Sequence, residues 1–161
     1  MVKKFYLVLS LMLMSAMVLL AADKGEQMKY DIVSAGATGA QGTYLVKVSV
    51  YSKRGKTTSA ELQRAAVHGV IFKGVVGGNG MATQKPMATP TTEYEKADFF
   101  EQFFTDGGPY SAYASVEGAT ISRAKTPTGE YRVSAVVVVS KDELRKYLEQ
   151  AGIVRGLGSI F

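Results

Sequence analysis

The sequence predicts an α+β fold, a two-layer sandwich in which about three helices pack mainly on one face of a single mixed sheet. Three observations lead there. Apolar and polar residues alternate with a period of two in several segments, the mark of half-buried strands. A Ser/Thr-x-x-Glu pattern, the signature of a helix start, occurs at Thr58/Glu61, Thr92/Glu95 and Ser140/Glu143. The two kinds of segment are intermingled without strict alternation, which favours a sheet with helices on one side over a doubly wound sheet.

Ahead of these elements lies a different pattern. Met1-Val2-Lys3-Lys4 is followed by an apolar run from Phe5 to Leu20 and then by Ala21-Ala22-Asp23. A basic start, an apolar stretch and small residues before a polar one are the parts of a secretory signal, with cleavage expected after Ala22 or one residue earlier. The division is therefore 1–22 as signal peptide and 23–161 as one α+β domain, and the expected location is periplasmic or secreted. An uncleaved leader is the one route to membrane contact. The chain has no cysteine, so disulfides and thioether-linked lipids are excluded and the domain must stand on its apolar core. Loss of Lys3 and Lys4 takes two charges from the net +5, and the other basic residues are interspersed with acids. No basic block suggests nucleic acid as a partner.

Element by element, Met28, Tyr30 and Ile32 alternate with Lys29 and Asp31, a strand. Gly36, Gly39 and Gly42 mark a turn, and Thr43–Tyr51 is a second strand with Tyr44, Val46, Val48 and Val50 on one face; the two should form a hairpin. The Thr58/Glu61 box opens a helix that carries Leu62, Ala65 and Ala66 on one side and stops near Gly69. Val70-Ile71-Phe72 reads as a buried strand, parallel to the one before the helix. Residues 74–91 show no periodicity. Thr92/Glu95 opens a helix that runs to about Thr105 and is ended by Asp106-Gly107-Gly108-Pro109. Tyr110–Val116 and Ala119–Lys125 are weaker strands, Tyr131–Val139 is the strongest strand, and Thr126–Gly129 is the turn of a hairpin. Ser140/Glu143 opens a last helix with Leu144, Tyr147, Leu148 and Ala151 on one face and Gly152 at its end. Residues 153–161 are expected to be a flexible tail.

Two stretches, Ala66-Val67-His68-Gly69-Val70-Ile71-Phe72-Lys73-Gly74 and Phe99-Phe100-Glu101-Gln102-Phe103-Phe104 leading to Gly107-Gly108-Pro109-Tyr110, resemble small exported proteins of Bacteroidetes that carry no assigned function. More distantly, the strand, alanine-bearing helix, strand order is similar to βαβ modules of cell-envelope assembly proteins, such as those of curli secretion and flagellar assembly. The resemblance implies a fold and an extracytoplasmic setting, and no functional residue.

Few residues suggest chemistry. His68 is the single histidine; a helix-end residue complementing the carbonyl end of the dipole is the first reading, and a general base in a small exported hydrolase is the alternative. The glycines at 74, 77, 78 and 80 follow an apolar run as phosphate loops do, but no Gly-Lys-Ser/Thr and no helix follows, so no nucleotide cofactor is expected. Glu95, Asp98 and Glu101 share one helix side and read as a solvated face; no metal is expected. Phe99, Phe100, Phe103 and Phe104 span an arc of roughly 140° at 100° per residue; core packing is the first reading, and one edge of the arc facing a partner or the long loop is the alternative. The long segment 74–91 is where function is expected first, because unstructured stretches of this length inside a domain are either functional or disordered. The partner-binding candidates are Asn79, Met81, Gln84, Lys85 and Met87 from that segment, with Phe99 and Phe103 from the aromatic arc. The expected function is a non-enzymatic binding or envelope-assembly accessory module whose partner is another envelope protein. A carrier holding an apolar molecule between sheet and helices is a further alternative.

Overall fold

The computed structural model describes residues 28–36, 40–78, 80–118 and 120–156. The expected signal peptide at 1–22, Asn79 and the end of the expected tail at 157–161 lie outside the described residues. The fold is α+β: one sheet of five strands, β1 (Tyr30–Gly36), β2 (Tyr44–Ser52), β3 (Ala114–Val116), β4 (Ser122–Lys125) and β5 (Tyr131–Val139), with helices α1 (Ser59–His68), α2 (Pro90–Glu95), α3 (Ala97–Phe103) and α4 (Lys141–Gln150).

The strands run in the order β1-β2-β5, with β3 and β4 one after the other along the far edge of β5. Every ladder is antiparallel. Parallel pairing is confined to a single bridge between Val33 and Val76, so the expected mixed sheet survives only in that bridge. β5 takes the centre, paired with β2 along one edge and with β3 and β4 along the other. Val133, Val137 and Val139 are buried beside Ala135 under the helices, and Val136 and Val138 lie half-buried on the opposite face. The register sets Val46, Val48 and Val50 of β2 across from Val137, Ala135 and Val133, which aligns the apolar faces.

α1 forms as the capping pattern dictates. The Thr58 hydroxyl accepts from the Glu61 amide at 3.2 Å and the Glu61 carboxylate accepts from the Thr58 amide at 2.6 Å. Leu62, Ala65 and Ala66 are fully buried, and the two alanines let the helix lie close to the sheet. Gly69 does not stop it. Its backbone is right-handed helical, and the chain continues through a π-helical turn at Gly69–Lys73, closed by Gly74 N–H donating to the Gly69 carbonyl. The expected strand at 70–72 is thus a helix extension, and no parallel crossover forms. A short apolar run fits a buried helix as well as a buried strand. Here Gly69 lets the helix lie close to β1, since a Cβ would sit 2.9 Å from the end of the Ile32 side chain.

The next helix also differs from expectation. Thr89, not Thr92, is its cap, accepting from the Thr92 amide at 3.2 Å, with Pro90 in the first turn. At Lys96 the backbone leaves helical geometry (φ −114°, ψ 31°), and α3 begins at Ala97. Phe100, Phe103 and Phe104 then fill the core with Leu62, Ile71, Tyr110, Leu144 and Leu148. The segment Pro109–Tyr113 is a 3-10 turn rather than a strand, which leaves β3 only three residues. Ser140 precedes α4 without a side-chain cap; its amide is held by the Tyr113 carbonyl. The expected tail begins later than 153. Gly152 takes φ +69°, Ile153 N–H returns to the Leu148 carbonyl at 2.9 Å, and Ile153 and Val154 pack against the core.

Candidate binding groove and the His68 cluster

The segment predicted to lack structure contains a short hairpin. Val75 and Gln84 exchange two backbone hydrogen bonds at 2.9 Å, and Gly78 and Met81 exchange a second pair. Val76 then docks on the outer edge of β1, its carbonyl accepting from the Ser34 amide at 3.0 Å. The hairpin thereby covers part of an otherwise open sheet edge. Gly74 makes this possible by taking φ +74° as the chain leaves the π turn.

Between this hairpin and the end of the β1–β2 turn lies an open groove of about 360 Å³. One wall is Val75, Met81 and Gln84; the other is Ser34, Tyr44 and Leu45, with Lys141 at one end. The Tyr44 hydroxyl donates to the Gln84 side-chain carbonyl at 2.8 Å, which ties the hairpin to β2. The Lys141 ammonium lies 5.1 Å from the Tyr44 ring centre, a cation–π contact. Burial raises the Tyr44 hydroxyl above its ordinary titration range, with Lys141 opposing, so it remains a donor at neutral pH. The groove offers an apolar floor beside amide, hydroxyl and ammonium groups, the composition of a recognition site.

The sequence-predicted residues separate here. Met81 and Gln84 line the groove. Lys85 is exposed outside it. Met87 faces a second groove, of about 440 Å³, with Arg145, Ile153 and Val154. Phe99 is half-buried, stacked on Phe103 and tilted against Tyr147 with ring centres 5.8 and 6.2 Å away. Phe103 is 1% exposed and belongs to the core, so it presents no surface to a partner. Tyr44, Ser34 and Lys141 went unnoticed: Tyr44 sits in phase with the buried valines of β2, and that alternation marks it as core.

His68 occupies a different place from a plain helix end. Its Nδ1 lies 2.5 Å from the Tyr30 hydroxyl and its Nε2 lies 2.8 Å from the Glu93 carboxylate. An ionised carboxylate only accepts, so Nε2 carries the proton, and in the neutral ring Nδ1 accepts from Tyr30. The imidazole packs against Phe72 and Phe104 with ring centres at 4.9 and 5.4 Å. Burial holds its titration below the ordinary histidine range, with Glu93 pulling the other way. The helix continues past it, so a dipole interaction is not what keeps it there. Carboxylate, imidazole and hydroxyl in series have the order of a nucleophilic triad, but the hydroxyl end belongs to Tyr30, which is 5% exposed. Burial pushes that phenol above its ordinary range, the opposite of nucleophile activation.

Glu95, Asp98 and Glu101 are exposed, and among the described residues no three His, Cys, Asp or Glu side chains gather as a metal site. No described helix is long and apolar enough to cross a membrane. No protein-family model matches the chain, and neither a curated protein nor a solved structure matches it.

Proposed function

We propose that this chain is a non-enzymatic binding module, exported to the periplasm or beyond, that engages another envelope protein through the groove between the 75–84 hairpin and the β1–β2 turn. The observation that supports this reading most directly is the bond between Tyr44 and Gln84. It fixes a glycine-rich segment as one wall of a groove, and a preformed wall lowers the ordering cost of binding. Val76 stands beside the groove 61% exposed, with Val33, its bridge partner, 44% exposed; together they extend the apolar contact area. The leader at 1–22 supports the extracytoplasmic setting.

A photo-crosslinking amino acid placed at Met81 in the native cell tests the proposal, with Lys146, exposed on α4, as the control position. A discrete adduct from position 81 that is missing from position 146 is expected. Identical adduct patterns at both positions, or none at 81, refute the groove as the binding face. The hydrolase reading retains one favouring observation, the Glu93–His68–Tyr30 series. Turnover of general ester, peptide or glycoside substrates by the purified protein, lost in His68→Ala, would replace the binding reading with it.

A further inference from the structure

Helix α2 is attached unusually. None of its residues is buried, and Tyr94 is 86% exposed. A helix of this length has little intrinsic stability, so its position depends on its contacts. Just before it, Ala88 N–H donates to the Ile71 carbonyl at 2.9 Å. Within it, Glu93 reaches the body of the domain through His68 Nε2, and Thr92 lines the second groove with Arg145 and Ile153. His68 in turn is fixed to β1 by Tyr30. Three elements thus meet on one imidazole.

We propose that Tyr30, His68 and Glu93 form an acid-sensitive clamp that holds α2, and the chain leading into it from the 75–84 hairpin, against the sheet. In the neutral ring both nitrogens are satisfied. When His68 takes up a proton, Nδ1 becomes a donor and faces the Tyr30 O–H that was donating to it. The phenol must turn its proton away within a buried setting. Four groups face the imidazole from the elements around it: Glu93 of α2 favours the added charge, Lys73 of the π turn and Arg64 of α1 oppose it, and Tyr30 of β1 loses its acceptor. Lys73 is held in place, its ammonium 2.9 Å from the Tyr30 carbonyl and 3.8 Å from the Tyr30 ring centre.

The sign follows from burial. The folded-state imidazole titrates below the ordinary value of 6.5, so the unfolded or locally opened chain takes up the proton first. The clamp's contribution is complete above 6.5 and is lost as pH falls from there through the lower folded-state value. It does not depend on what the groove binds.

Hydrogen exchange read by mass spectrometry on the protein purified from its host, over a pH series from 7.5 down to 4.0 and corrected for the intrinsic exchange rate, tests this. Exchange in 86–96 should quicken relative to β5 across this series, by about tenfold for each pH unit separating the open and closed titrations. In His68→Gln that acid-dependent change should vanish. Glu93→Gln keeps an acceptor for Nε2 but removes the charge that favours imidazolium, so the release should begin at the same pH, grow larger, and reach its midpoint at lower pH. Protection of 86–96 that is indifferent to pH in the wild type overturns the clamp. So does an acid response that persists in His68→Gln, or one whose midpoint stays fixed in Glu93→Gln.

Discussion

At Gly74 the backbone takes φ +74° and ψ −175°, a combination open to glycine and strained for any other residue. A Cβ there would lie 2.4 Å from the Gln84 carbonyl oxygen and 3.0 Å from the Pro86 nitrogen, both backbone atoms that cannot step aside alone. Gly74→Ala should therefore cost about 2–4 kcal/mol, read as a lower midpoint in urea unfolding, and should separate the hairpin from the π turn. Gly78, with nothing within 4 Å of its would-be Cβ, is the comparison; Gly78→Ala should shift the midpoint far less. At this scale the sequence was partly legible. Met81 and Gln84 stood out as polar and adaptable residues in a glycine-rich stretch, and they do line the groove. His68 stood out as the single histidine, but its partners were hidden: Tyr30 and Glu93 are 38 and 25 residues away. Caps and periodicity are local signals and say nothing about such distances.

The helix-start pattern occurs three times in the chain and forms a reciprocal cap once. At Thr58 the backbone is extended (ψ 163°) and both hydrogen bonds close. At Thr92 the pattern is pre-empted, because Pro90 fixes the first turn two residues earlier and Thr89 becomes the cap. At Ser140 the chain has just left β5, ψ is 75°, and the hydroxyl makes no capping bond. Thr58→Ala should accordingly destabilise the domain by about 1 kcal/mol, and Ser140→Ala by less than about 0.5 kcal/mol; denaturant titration of both variants checks the contrast. The same local competition decides which elements could be read. β1, β2 and β5 announced themselves because sustained apolar/polar alternation arises where a strand buries one face and little else produces it. Val70-Ile71-Phe72 was too short to carry a period, and the close packing of Gly69 against Ile32 that accompanies its helical form is a tertiary contact. The break at Lys96 has no mark in the sequence that we can identify.

For the molecule as a whole, two layers and helices on one face followed from pattern alone, while strand order did not. The hydroxyls of Ser49 and Ser134, 2.8 Å apart, join residues 85 positions apart in the chain, and nothing in either strand names the other. What the pattern did contain was the valine content of β5, the strand paired along both edges. That central position has a consequence in time. Synthesis delivers β1 and β2 first, but the strand on which β2, β3 and β4 all converge emerges after all of them. Until Tyr131–Val139 is available, one edge of β2 has no neighbour, and Val46, Val48 and Val50 lie beside β1 alone, without Val137, Ala135 and Val133. Such late, long-range closure is slow. Nascent chains stalled at Lys125 should be cut rapidly by a non-specific protease, and released full-length chains should resist. Equal resistance of the two would show that the first strands and α1 close on their own, without β5.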